Sequence, residues 1–259
     1  MLAVTAVPAE SARYRADLVF LPGLWASPAL WQPVASSLAH RGWQGTVLHL
    51  AGVPGGLAGR VAAVTASLAG RDRAIVLVAH DAAAVVASHV AGRTRMVAAV
   101  VLVAPLDPAC AAVRGLTRRW DVVVGLLRGN LLRPPAGSVA TRCYGPVAER
   151  IPAGLVPEHP RAVLDVVRNR LPLESAPVPA AMISGAADPL LPDPSGLAQR
   201  LGAEWFGLRA QGHWPLVGTA AEETAAVVHR WLVRRLGEPL LELHAEAMAA
   251  RDAEEEDPA

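Results

Sequence analysis

Residues 74–83 read AIVLVAHDAA. The first six, Ala74 to Ala79, are apolar with no polar alternation, the pattern of a central parallel strand buried on both faces. His80 and Asp81 interrupt the run, and Ala82 to Ala91 then reads as a helix packed close to that strand. The same alternation extends in both directions. Before it, Leu18-Val19-Phe20-Leu21 is a short buried strand that ends at the Pro22-Gly23 turn. Pro28 to His40 reads as a helix, with Ser27 as candidate N-cap, Pro28 at its first position and Gly42 past its end. Gly45 to Leu50 is the next strand, and Leu57 to Leu68 a helix ended by Ala69-Gly70. After it, Met96 to Ala104 (MVAAVVLVA) is a second central strand. Val178 to Ser184 and Ala203 to Leu208 are two more, and Thr219 to Leu236 is a long amphipathic helix. Strands alternating with helices predict an α/β fold, a mostly parallel sheet with helices on both faces.

One segment breaks this rhythm. Residues 107–177 hold Pro134-Pro135, Gly129, Gly137 and Gly145, with helical stretches near Val113–Leu132 and Pro160–Arg170. They read as a helical cap inserted over the C-terminal edge of the sheet, where ligand sites of such sheets lie. The domain division is therefore a core of residues 1–106 and 178–237, a cap of 107–177, and a C-terminal helix with an acidic tail at 238–259.

Composition narrows the function. The 259 residues are 53% hydrophobic and 18% charged. So apolar a chain of this length buries a large core, which excludes disorder or coiled coil as a description of the whole. The net charge is +1, from 24 basic and 23 acidic residues, so no broad basic field draws nucleic acid or an anionic membrane. All 24 basic residues are Arg, which removes Schiff-base chemistry and any P-loop lysine. Cys110 and Cys143 make no disulfide framework and read as unpaired thiols in a reducing compartment. Residues 1–11 carry no basic region followed by an apolar run, and no apolar stretch reaches the roughly 18 residues of a membrane span. A cytoplasmic protein is expected, with a small-molecule substrate as partner, acting as monomer or homodimer. The histidines and cysteines show no metal-ligand spacing, and no Gly-rich phosphate signature follows the first strand, so neither metal nor cofactor is expected.

Three patterns carry chemistry, and they occur in a telling order. Val78-Ala79-His80-Asp81-Ala82-Ala83 places one polar side chain among small neighbours at a strand-to-helix turn, the layout of a nucleophile elbow. Ser184-Gly185-Ala186-Ala187-Asp188-Pro189 ends a late strand. Gly212-His213-Trp214-Pro215 precedes the last long helix.

Together, over about Leu18 to Leu236, these patterns resemble the α/β-hydrolase superfamily, with Pro22-Gly23-Leu24-Trp25 in the place of its His-Gly turn and Ala79 and Ala83 where elbow glycines are usual. The resemblance implies a triad of Asp81, Asp188 and His213 in the order nucleophile, acid, base. Asp107, after the MVAAVVLVA strand, occupies a second position that some members use for the acid. The resemblance also implies an oxyanion hole built from the backbone N–H groups of Leu24 and Ala82. An aspartate elbow is that of epoxide hydrolases and haloalkane dehalogenases. It needs no activation at neutral pH, and it suits displacement at an sp³ carbon to give an alkyl ester that His213-activated water then hydrolyses. Ala82 replaces the Trp usual after such an Asp, and Leu24 the Asn of many dehalogenases. Of the two tyrosines, only Tyr144 lies in the cap as a candidate proton donor. The N-terminal turn looks more like the esterase and hydroxynitrile-lyase branch. A non-hydrolytic tailoring enzyme of specialised metabolism, with Asp81 and His213 as an acid–base pair, therefore stays open, as does a ligand-binding member without activity. Trp25, Trp120, Tyr144 and Trp214 are the candidate substrate contacts.

Overall fold

The computed structural model describes residues 2–110, 119–136, 154–209 and 211–236. Seven strands form one sheet: β1 Val4–Val7, β2 Asp17–Leu21, β3 Gly45–Leu48, β4 Ile75–Asp81, β5 Val97–Pro105, β6 Ala180–Gly185 and β7 Glu204–Leu208. Their order in space is β1-β3-β2-β4-β5-β6-β7, and every pairing is parallel except that of β1 with β3. The α/β-hydrolase fold read from the sequence is the one observed.

The apolar run of β4 has a direct physical cause. Side chains alternate between the two faces of a strand. Val76 and Val78 join one core, whose cover includes α1 (Gln32–His40) and α7 (219–236). Ile75, Leu77 and Ala79 join the other, under α2 (Gly56–Leu68) and α3 (Ala83–Ala91). Water reaches neither face, so polar residues appear only at the C-terminal end of β4, where His80 and Asp81 find polar partners.

Several local expectations change. The helix expected from Pro28 opens as a 3-10 turn over Pro28–Trp31, and α1 begins at Gln32. Pro33 has no N–H to give to a carbonyl one turn back, so the α-helical ladder cannot run through it. Ser27 precedes that turn without a side-chain capping bond. Two elements were not anticipated: the edge strand β1, and α6 (Pro194–Leu201), whose N-cap Asp193 accepts from the Gly196 N–H. In the inserted segment, α4 (Arg119–Arg128) lies against α5 (Pro160–Val167), and α5 also packs on α2. The expected C-terminal helix and acidic tail at 238–259 lie outside the described residues.

Candidate active site

β4 carries Asp81 at its C-terminal end, where its register with β5 shifts between His80 and Asp81. Asp81 adopts φ +57, in the left-handed region, which Asp enters more readily than most side chains. The small residues around it do not relax this turn. Asp81 N-terminally abuts Ala82, which starts α3 as its N-cap. Gly23, in the turn after β2, makes the opposite wall. A Cβ at Gly23 would collide with the Cβ and Oδ2 of Asp81. That close approach lets the Leu24 N–H donate to Asp81 Oδ2 at 2.7 Å.

His213 arrives from the loop between β7 and α7. Here Gly185 is the enabling residue, because a Cβ on it would strike the backbone oxygens of Gln211 and Gly212. The Ala187 N–H donates to Gln211 O at 2.9 Å and fastens that loop to the turn bearing Asp188. His213 Nδ1 lies 2.9 Å from Asp188 Oδ2, and Asp188 Oδ1 accepts from the Leu190 N–H at 2.9 Å. His213 Nε2 lies 3.4 Å from Asp81 Oδ1. Asp81, Asp188 and His213, spread over 133 residues of sequence, thus form one buried cluster. Asp107, the other candidate for the acid, is engaged elsewhere: it accepts from the Ala109 N–H and pairs with Arg200 at 2.5 Å.

The electrostatics follow from this packing. Burial disfavours a charged His213, but the charge and hydrogen bond of Asp188, helped by Asp81, outweigh it and push His213 up to about 10. Burial works against the Asp188 carboxylate too, yet His213 beside it holds Asp188 below the usual carboxylate value. His80 moves the opposite way. Burial first, then repulsion from His213, lowers it to about 4. Neutral His80 donates its Nε2–H to the His213 carbonyl at 2.9 Å and pins the His213 loop to β4.

The aromatic candidates separate. Trp25 is buried, and its indole N–H donates to Leu132 O at 3.3 Å. Trp214 is buried against His80, ring centroids 4.6 Å apart, and stands edge-on to His213. Trp120, on α4, is 73% exposed, so it faces outward rather than a closed pocket. Tyr144 and Cys143 lie outside the described residues. Of the two expected oxyanion donors, Leu24 is hydrogen-bonded to Asp81, and no such bond from Ala82 is seen. Among the described residues no group of three or more His, Cys, Asp or Glu is placed to hold a metal, and no helix is long and apolar enough to cross a membrane.

Two residues beside the site escaped the sequence reading. Glu158 and Arg60 form an ion pair at 2.5 Å with both side chains fully buried, and Glu158 Oε2 accepts from the Trp25 N–H at 3.3 Å. One signal was available: Arg60 falls in the apolar stripe of α2 formed by Leu57, Val61, Val64 and Leu68.

Comparison with known proteins agrees with the architecture. No curated protein sequence matches the chain significantly. Among solved structures, a lipase-esterase related protein from Clostridium acetobutylicum ATCC 824 aligns with TM-score 0.67 and 16% identity, covering 89% of this chain and 99% of its own. A monoacylglycerol lipase from Paleococcus ferrophilus gives TM-score 0.67 and 17% identity, covering 91% and 99%. Epoxide hydrolase I of potato, Solanum tuberosum, gives 0.59 and 15%, covering 90% and 96%. At such identities the likeness concerns the fold. The family model of the alpha/beta hydrolases matches residues 18–227, and the chain belongs to the alpha/beta hydrolase family.

Proposed function

We propose that this protein is an enzyme that opens a small, largely apolar alkyl electrophile, foremost an epoxide, with Asp81 as nucleophile. The observation that carries this reading is the division of labour on one carboxylate. Oδ2 is held by the Leu24 N–H, while Oδ1 faces the His213 imidazole at 3.4 Å. A carboxylate anchored by one oxygen presents the other for attack.

The proton inventory closes around the same residues. Oδ1 of Asp81 attacks an epoxide carbon, the C–O bond breaks, and the alkoxide takes a proton from the His213 imidazolium. Tyr144 is the second candidate for that donation. The product is a neutral ester on Asp81 beside a neutral His213. With the Asp81 charge gone, one of the two carboxylates that favour the imidazolium has been lost, so the His213 pKa falls and the imidazole stays neutral, able to accept a proton. It removes a proton from water, hydroxide adds to the ester carbonyl, and the Leu24 N–H donates to the oxygen that gains charge. Collapse, with the water oxygen retained on the carboxylate, releases the diol and restores the Asp81 carboxylate and the His213 imidazolium. Asp188 orients the imidazole throughout.

A second reading rests on the same ion pair. A carboxylate 3.4 Å from a histidine raised to about 10 is also a base beside an acid. It serves a lyase, cyclase or carbon–carbon bond reaction with no covalent intermediate. The His213→Gln variant separates the two. Incubated with a panel of epoxides, haloalkanes and unsaturated polycyclic metabolites, it should gain mass on the peptide bearing Asp81. Haloalkanes decide the case, because halide leaves without a proton from His213: conversion of one by the wild type, with no adduct on the variant, would overturn the nucleophile reading in favour of the acid–base one.

A further inference from the structure

We propose that Glu158 is a positioning residue that holds the Pro22–Trp25 turn so that the Leu24 N–H stays aimed at Asp81. The inference rests on the proposed role of Leu24 as oxyanion donor and extends it to a buried pair that takes no part in the chemistry.

The strained residue of that turn is Trp25, which adopts φ +56 without being glycine. Such a conformation persists only where its surroundings over-determine it. Both backbone groups of Trp25 are held by one strip of chain, 154–158. Its N–H donates to Glu158 Oε2 at 3.3 Å, and its carbonyl accepts from the Val156 N–H at 2.8 Å. The strip is itself fixed on its other side, where Glu158 and Leu132 exchange backbone hydrogen bonds of 2.7 and 2.8 Å. The Glu158 side chain then ties this arrangement to the core. Oε1 accepts from Arg60 on α2 at 2.5 Å and from the His159 N–H at 2.6 Å. Both carboxylate oxygens are therefore occupied, each by different donors. Arg60 offers Nε and Nη1 to no hydrogen-bond partner among the described residues, so Glu158 is its counter-charge.

A buried ion pair is a poor way to gain stability, since apolar side chains of similar volume often serve as well. It is a good way to fix a direction. Glu158 sets the Trp25 N–H, and the preceding amide in the chain is that of Leu24, which points at Asp81 Oδ2. The effect on the reaction should be lopsided. As Asp81 becomes an ester its oxygens lose charge, so adduct formation gains little from the Leu24 N–H. Hydrolysis returns charge to that oxygen and needs the donor in place.

Two variants test this. Glu158→Gln keeps the shape but turns one acceptor into an NH₂ group facing an N–H. The pair Arg60→Met with Glu158→Leu removes both charges and guards against misfolding of the single variant. The readouts are amide hydrogen exchange at Leu24, thermal unfolding, and formation and decay of the Asp81 adduct with styrene oxide. In both variants the Leu24 amide should exchange about tenfold faster or more, and adduct decay should slow about 10- to 100-fold with formation changed less than about threefold. The double variant should do so with its melting temperature preserved, which a purely structural role would not allow. Unchanged Leu24 exchange in both folded variants would overturn the proposal, as would an unchanged adduct lifetime. If the wild type turns over styrene oxide without an adduct but Leu24 protection falls in the variants, the positioning role stands and the nucleophile reading fails.

Discussion

Two neighbouring amides in one turn point at carboxylates from two different parts of the molecule. The Leu24 N–H meets Asp81, at the sheet edge, and the Trp25 N–H meets Glu158, in the inserted segment. Both carboxylates are buried, and each has a cationic partner, His213 for Asp81 and Arg60 for Glu158. The partners differ in kind. Arg keeps its proton at any ordinary pH, so the Arg60–Glu158 pair is permanently charged and can only hold geometry. His213 faces Asp188 with Nδ1 and Asp81 with Nε2, and histidine, unlike arginine, can give up a proton when a neighbouring carboxylate is neutralised. On the proposed reading, the first cluster moves charge and the second keeps it aligned.

The largest effect should come from breaking the mobile cluster. Asp81→Asn is nearly isosteric, yet it removes both the proposed nucleophile and the counter-charge of His213. Turnover of any epoxide substrate should fall about 10⁴-fold or more, measured by initial rates on folded protein. Retention of more than about a tenth of the wild-type rate would remove Asp81 from the nucleophile role.

Breaking the fixed cluster should read out in stability. Glu158→Ala leaves the Arg60 guanidinium buried without its counter-charge and should cost about 3–5 kcal/mol in denaturant unfolding. Adding Arg60→Met should recover most of that loss. A double variant as unstable as the single one would mean that the pair itself, rather than the orphaned charge, carries the stability.

The pH dependence sharpens the contrast further. His213 titrates in the folded state at about 10, above its ordinary value of about 6.5. Its contribution to stability is fully present below about 6.5 and is lost as pH rises through about 10. His80, lowered to about 4, works at the other end. Its contribution is present above about 6.5 and is lost as pH falls toward 4. Melting temperature against pH should therefore fall on both sides of neutrality. His213→Gln should flatten the alkaline side, whereas Glu158→Gln should leave the shape of both sides unchanged. The smallest effect belongs to Asp107→Asn. Arg200, its partner, is half exposed, so the loss should stay below about 1 kcal/mol, with turnover unaffected. A collapse of turnover would return Asp107 to the reacting cluster.

The sheet was legible because strands buried on both faces are apolar along nearly all their length, as β5 is throughout and β4 is up to His80 and Asp81. The edge strand β1 was not: four residues with one buried side chain leave too little pattern to read. The clustering of Asp81, Asp188 and His213 was legible because each sits in a short turn pattern, and the three patterns come in the order that the α/β-hydrolase resemblance implies. The engagement of Leu24 was legible through the Pro-Gly turn, whereas an equal part for Ala82 was expected and no matching bond is seen. Arg60 and Glu158 are 98 residues apart, and a pairing of that range leaves no periodic trace in either segment. Only the polar residue in the apolar stripe of α2 hinted at it. Helical spacing gives Trp120 a face without saying whether that face is covered, and in the structure it is exposed.

The central claim is that Asp81 bonds covalently to substrate and that water attacks the resulting ester. A single turnover in oxygen-18 water, with enzyme in excess over an epoxide that the wild type converts, tests it most directly. The heavy oxygen should appear in the peptide carrying Asp81, while the first product carries an oxygen from the enzyme. Heavy oxygen in the first product, with the Asp81 peptide unlabelled, would contradict it.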